Sequence, residues 1–493
     1  MNIMKINPKD NVAVAVKPVH AGQTLEAGGI HITARSDMPF GHKIALCDIA
    51  ASSEVIKYGY PIGRAAAGIM AGEHVHSHNV MTNLGEQLNY AYSPVLKPPE
   101  PRDPGSFTGF KRKDGRVGIR NEIWIIPTVG CVNSIGEAVA RKAQKLIRGS
   151  VQGVYMFPHP YGCSQLGEDH ENTKKALCGL IRHPNAGGVL VLGLGCENNG
   201  VAGMREMLGD IDENRVKFLI SQNCEDEITE ALALLEELIG TAGSDTPETV
   251  STSKLIVGLK CGGSDGLSGI TANPLTGAFT DRLTAEGGSV ILTEVPEMFG
   301  AETILMSRCK DRATFQKTVS LINRFKAYFT GYGQPVYENP SPGNKDGGIT
   351  TLEDKALGCT QKAGTATVVD VLSYGEALHE KGLNLLESPG NDLVASTALA
   401  ASGAHIILFT TGRGTPFGAP VPTVKISSNT DLFKRKPGWI DFDAGPLVSH
   451  ASMQELADSL YDYVLNVASG GLLTKTEQNG IRDMAVFKTG VTL

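Results

Sequence analysis

Four cysteines in this chain share one local grammar: Cys131 in "PTVGCVN", Cys163 in "HPYGCSQ", Cys196 in "LGLGCEN" and Cys261 in "LKCGGSD". Each follows an apolar run and sits in a glycine-rich turn. A buried strand ending this way presents a thiol at the rim of a sheet, and in open α/β sheets ligands bind at the C-terminal strand ends. Thiolates are soft donors suited to iron, zinc or iron–sulfur clusters. For any one of them alone, filling a tight turn as a small apolar side chain is the competing role. A second donor set is "GEHVHSHN", where His74, His76 and His78 alternate. Residues two apart on a strand share a face, so these imidazoles could meet one metal ion. An exposed polar strand face is the alternative.

Groups for proton transfer lie close by. His159 precedes Cys163 by four residues, Glu197 adjoins Cys196, and Glu294 and Glu297 fall in "TEVPE" at a strand end. A carboxylate or imidazole at the mouth of a sheet can abstract a proton. Anion binders follow: Arg413 between glycines in "TTGRGTP", where a guanidinium can fork onto a carboxylate, and Asn344 and Lys345 in "NPSPGNKDGG".

The elements that must position these groups divide the chain. Residues 1–92 read as short strands with Gly/Pro turns, a small β-rich domain. Residues 93–107 hold five prolines, the composition of a semi-rigid linker. From residue 108 the pattern becomes strand, Gly-rich turn, helix. That alternation predicts an α/β region with mostly parallel sheets covered on both faces. The polar stretch from Gly240 to Ser253 is expected to be a second connection, dividing this region into subdomains 108–245 and 246–493.

Bulk properties narrow the function. With 45 basic and 52 acidic residues the net charge is -7, and no long basic run occurs, which argues against nucleic acid as a partner. No apolar stretch approaches the roughly 20 residues that span a bilayer, and the first residues lack a signal-peptide pattern. The expectation is a cytoplasmic protein with its nine cysteines reduced, acting on a small molecule; a homo-oligomer is compatible with it. "GLGCENNG" has Asn198 where the third glycine of a dinucleotide fingerprint belongs, and no phosphate-binding P-loop is present.

Taken together, "HPYGCSQLG", "GLGCENN", "CGGSDGLSGITANP", "TEVPEMFGAE", "NPSPGNK", "GGITTLEDKALG", "TTGRGTP" and the ending "FKTGVTL" resemble the altronate/galactarate dehydratases over nearly the whole chain, the altronate branch most. "GHKIAL" and "GEHVHSHN" resemble that family's N-terminal SAF-like (β-clip) domain. The resemblance implies a hydro-lyase converting D-altronate to 2-keto-3-deoxy-D-gluconate in galacturonate breakdown. It also implies dependence on Fe2+, with Mn2+ or an iron–sulfur cluster as alternatives. In that setting the metal ligands are expected among His74, His76, Cys163, Cys196 and Cys261, with His159, Glu197 or Glu294 in catalysis and Arg413, Asn344 and Lys345 holding substrate. Another aldonate or aldarate such as galactarate, or sugar-acid binding without turnover, is the competing expectation.

Overall fold

The structure, a computed structural model, describes residues 2–85 and 89–489; the last four residues of "FKTGVTL" lie outside these. The N-terminal domain is built from short antiparallel strands. One sheet joins Ile3–Met4, Val12–Ala15, Lys43–Ala45 and His74–Val75, and another joins Glu54–Lys57, Tyr60–Ala65 and Val80–Met81. Inward residues such as Val12, Ile44, Val55 and Ile62 close two small cores. The proline-rich segment carries no strand or helix before Ser106 and runs along the C-terminal domain, with Val95 N donating to Ser307 O (2.7 Å) and Arg102 N to Ala285 O (2.9 Å).

The second domain is a parallel sheet of β1 (Glu122–Pro127), β2 (Val154–Met156), β3 (Ala186–Gly193) and β4 (Val216–Ile220), ordered β2-β1-β3-β4. All residues of β1 and β3 are buried, so their near-continuous apolar runs are what a sheet covered on both faces requires. Helices α1 (Asn133–Ala143), α2 (Gly167–Ile181), α3 (Val201–Leu208) and α4 (Glu227–Gly243) provide that cover.

The third domain contains a seven-stranded, all-parallel sheet: β5 (Ile256–Cys261), β6 (Ser289–Leu292), β7 (Val368–Leu372), β8 (Leu383–Leu386), β9 (Ile406–Thr411), β10 (Thr423–Ser427) and β11 (Phe442–Asp443), ordered β7-β8-β6-β5-β9-β10-β11. Its buried helix α5 (Leu352–Cys359) faces the N-terminal domain, and α6 (Asp392–Ala401) packs on α2. Trp124, Leu177 and Val189 share one core with Leu399, Ile407 and Phe409, so the two α/β domains are joined by apolar packing.

The stretch 240–253 is not a free connection. α4 continues to Gly243, and Glu248–Ser251 pairs antiparallel with Ser106–Lys111. Between them Asp245 anchors Arg112 (2.8 Å) and Arg215 (2.6 Å), which explains why so polar a sequence is ordered.

The N-terminal domain is fixed to the third by backbone contact and buried charge. A Cβ on Gly266 would strike the Gly41 carbonyl, and one on Gly41, at φ 84°, the Gly347 carbonyl, so this close backbone approach requires glycine at both positions. Beside this seam Asp354 accepts from Lys43 Nζ (2.9 Å) and Lys57 Nζ (3.0 Å), with all three groups buried. Burial alone would raise the Asp354 carboxyl, but the two ammonium groups hold it well below the usual carboxylate range. Its contribution is therefore present above the ordinary carboxyl pKa and is lost as pH falls. Asp354→Ala leaves two buried lysines without their counter-charge, Lys43 keeping only the Gly348 carbonyl (2.7 Å), and a loss of about 3–5 kcal/mol is expected. Thermal melts at neutral pH check this; an unchanged melting temperature would show that the triad does not hold the seam.

Candidate active site

In both parallel sheets the chain leaves one strand to opposite sides, and the crevice beyond the carboxyl ends at such a switch point is where ligands bind. In the third domain the switch lies between β5, ending at Cys261, and β9, leading to Arg413. The two loops are joined there, with Gly412 N and Arg413 N donating to Gly263 O (3.0 and 2.9 Å). A cleft of about 550 Å³ opens at this edge, walled by Cys261, Glu297, Lys345 and Lys355 among others.

The bottom of the cleft is a compact charged cluster. Glu297 Oε1 pairs with Lys355 Nζ (2.8 Å), while its Oε2 accepts from Cys261 Sγ (3.0 Å) and Cys359 Sγ (3.1 Å). The two sulfurs are 3.4 Å apart, and Lys362 Nζ lies 2.8 Å from Cys261 Sγ. Behind them Glu294 accepts from Cys261 N (2.9 Å) and pairs with Lys260, which also reaches Asp392 (2.9 Å). Three ammonium groups, on Lys260, Lys355 and Lys362, thus face three carboxylates, on Glu294, Glu297 and Asp392. Glu294 adopts a left-handed φ of 71°, a conformation costly for a non-glycine residue and typical of functional sites.

The two glutamates are pushed in opposite directions. Burial and the neighbouring Glu297 charge raise Glu294. Burial also acts to raise Glu297, but Lys355 and the other ammonium groups outweigh it and hold Glu297 well down. Lys355, despite burial, is raised by Glu297 and stays protonated. Carboxyls driven apart by their surroundings are the pattern of acid–base assignment. Glu297 lines the cleft wall, and Glu294 lies behind it.

The imidazoles form a separate group at the domain seam. His42 Nδ1 faces His74 Nε2 at 2.9 Å, and the ring centroids of His42, His74 and His76 are 4.9–5.6 Å apart. The strand there is only His74–Val75, and His78 touches the group through His74 (5.4 Å between centroids). His42 Nε2 meets Asp346 O (3.1 Å) and His76 Nδ1 meets Thr350 Oγ1 (3.1 Å), so the segment that walls the cleft at Lys345 continues directly onto the histidines. Burial, with the neighbouring imidazole and Lys43 charges, lowers His74 to about 4 and His76 to about 3. They are free bases at neutral pH, the state that binds metal.

Several expected site residues serve their own loops instead. His159 is 2% exposed, with Nε2 on Pro127 O (2.8 Å) and Nδ1 accepting from Tyr161 N (3.2 Å), leaving no ring nitrogen for substrate. Glu197 accepts from Thr128 Oγ1 (2.6 Å), Leu194 N (3.2 Å) and Gly195 N (2.6 Å), which fastens the turn that exposes Cys196. Asn344 Oδ1 caps Ser341 (2.9 Å to its hydroxyl) and its Nδ2 donates to Ser264 O (2.9 Å). Lys345 lines the cleft, and Arg413 is exposed beside it against Gly343. Cys261 does not join Cys163 and Cys196: it is buried with Cys359, whereas they are exposed on the other sheet.

Lys355, Cys359 and Lys362 escaped the sequence reading. Their spacing of four and three residues places them on one face of a helical segment, and that spacing in "EDKALGCTQK" was the available signal.

An α/β protein with an acid–base cluster and cationic rim at a switch point has the makings of an enzyme acting on a small anionic substrate. Residues 1–83 match the altronate/galactarate dehydratase SAF domain, 109–243 the D-galactarate dehydratase/altronate hydrolase second domain, and 252–492 the D-galactarate/altronate dehydratase C-terminal domain. The chain belongs to the altronate/galactarate dehydratase family. It is 54% identical to the altronate dehydratase of Bacillus subtilis (strain 168) and 53% identical to that of Escherichia coli (strain K12), over 100% of both chains in each case. It is 31% identical to the galactarate dehydratase (L-threo-forming) of Escherichia coli (strain K12), covering 98% of this chain and 96% of that one. Among the described residues no helix is long and apolar enough to cross a membrane.

The burial pattern is directly measurable. In metal-free, reduced, folded protein, brief alkylation followed by peptide mass spectrometry should label the exposed Cys47, Cys131, Cys163 and Cys196 and spare Cys261 and Cys359. Labelling of Cys261 at the rate of Cys196 would contradict the closed cluster.

Proposed function

We propose that this protein is a hydro-lyase that dehydrates D-altronate to 2-keto-3-deoxy-D-gluconate in the cytoplasm, within galacturonate breakdown. End-to-end similarity to two altronate dehydratases supports the substrate, and the Glu297–Lys355 pair on the cleft wall supports the chemistry. Arg413 and Lys345 draw the substrate carboxylate to the rim. Glu297 takes the proton from C2. Lys355 donates the proton with which the C3 hydroxyl leaves as water, and the enol rearranges to the 2-keto acid. The proton on Glu297 then passes across the 2.8 Å contact to Lys355, restoring both groups.

A divalent iron ion, with manganese as a substitute, is the proposed cofactor. The imidazoles of His42, His74 and His76 are its proposed ligands: they are neutral, and His42 Nδ1 and His74 Nε2 lie 2.9 Å apart, but the three rings do not all bring a nitrogen within 4.8 Å of one another, so His76 must turn inward to share the ion. When bound, such an ion supplies Lewis acidity that stabilises an enolate and a departing hydroxyl.

The test is an anaerobic assay with D-altronate and galactarate, before and after chelation and ferrous repletion. Formation of the 2-keto-3-deoxy acid from D-altronate, lost on chelation and restored by iron, is expected. Product from galactarate alone would overturn the substrate assignment. In the double variant His74→Ala/His76→Ala, metal content of the folded protein should fall; unchanged content would remove the imidazoles as ligands.

A further inference from the structure

The second domain has a switch point of its own, between β1 and β3, and the dehydration chemistry above makes no use of it. The loops leaving β1, β2 and β3 carry Cys131, Cys163 and Cys196, all three exposed. These loops are stitched into one mouth. Gly130 N donates to Tyr161 O (2.9 Å), Asn199 N to Gly162 O (3.0 Å) and Ser164 N to Asn198 Oδ1 (2.8 Å). Ser164 at φ 57° and Gly195 at φ 129° hold left-handed turns that fix how the thiols are presented. The loops lead into α1, α2 and α3, whose N-termini open on the same side and favour anionic sulfur.

The fourth strand end adds no thiol to the mouth; its loop reaches it through Gln222 Nε2, which donates to Cys196 Sγ (3.6 Å). Cys224 bonds to the Ile220 carbonyl (3.3 Å), and Glu197 has turned its oxygens inward. Three thiols without a fourth ligand do not make a closed structural zinc site, which takes four. Nor are they spaced for one ion: among the described residues the group whose ligand atoms all lie within 4.8 Å of one another is Cys261, Glu297 and Cys359. A cluster of several irons accepts more widely separated thiolates.

We propose that Cys131, Cys163 and Cys196 ligate an iron–sulfur cluster at the mouth of the four-stranded sheet, leaving one iron open to an oxygen ligand. The site is distinct from the imidazole group and stands independently of which sugar acid is the substrate.

The experiment is anaerobic reconstitution of the full chain with ferrous iron and sulfide, followed by iron and acid-labile sulfide analysis, visible absorption and electron paramagnetic resonance. A brown protein with about four irons and four sulfides is expected, as for a cubane cluster. Cys131→Ser, Cys163→Ser and Cys196→Ser should each lose most of the sulfide and absorption, while Cys224→Ser keeps them. Should a serine variant fail to fold by circular dichroism, alkylation of native loaded protein decides: the three thiols become protected while Cys47 stays reactive. No acid-labile sulfide in native protein, metal bound without sulfide, or absorption retained in all three variants would overturn the proposal. Turnover of D-altronate by protein that takes up no sulfide on reconstitution would leave the substrate reading standing while this one fell. A loaded cluster with no turnover would do the reverse.

Discussion

Asp354 holds two lysine ammonium groups from another domain, Lys43 and Lys57, and the geometry of the cleft depends on that contact. Asp354 belongs to α5, eight residues long and buried at every position. Its neighbours divide the work. Glu353 accepts from Thr82 Oγ1 (2.9 Å) and Asn83 N (2.6 Å) at the end of the N-terminal domain, Lys355 pairs with Glu297, and Cys359 meets Cys261. One short helix thus ties the small β domain to the charged cluster. Any movement of the seam would be transmitted to the acid–base pair.

Burying so many charges has an energetic logic. An isolated ion inside a protein costs several kcal/mol, so each must be matched, and breaking one pair costs more than the pair contributes. The cluster under the cleft meets this with three cations and three anions in mutual contact. The result fixes positions that a loop could not hold. The same surroundings separate Glu294 from Glu297 in proton affinity, so the electrostatics that hold the fold also set the chemistry.

Much of the architecture was legible in the sequence, because parallel strands buried on both faces read as apolar runs and the glycine-rich turns mark their ends. The strand-end thiols were visible for that reason, and so was the β-rich start of the chain. The site was less legible. His159, Glu197 and Asn344 have the right chemistry in the right turns, but their polar atoms are consumed by neighbouring backbone and hydroxyl groups, which only the folded loops reveal. The Gly240–Ser253 stretch looked like a linker because the arginines that order Asp245 lie far away in sequence. His42 and Lys355 were missed for a related reason: although "GHKIAL" and "GGITTLEDKALG" contain them, their partners His74, Asp346 and Glu297 lie far away in sequence.

In the proposed reaction Glu297 removes the C2 proton. This step is tested most directly by turnover of D-altronate and its C2-deuterated form by Glu297→Gln, with folding and metal content matched to the native protein. With Glu297 as the base, kcat falls about 10²–10⁴, the usual contribution of a positioned base, and the deuterium isotope effect exceeds the native one. Native kcat with an unchanged isotope effect would place the base elsewhere.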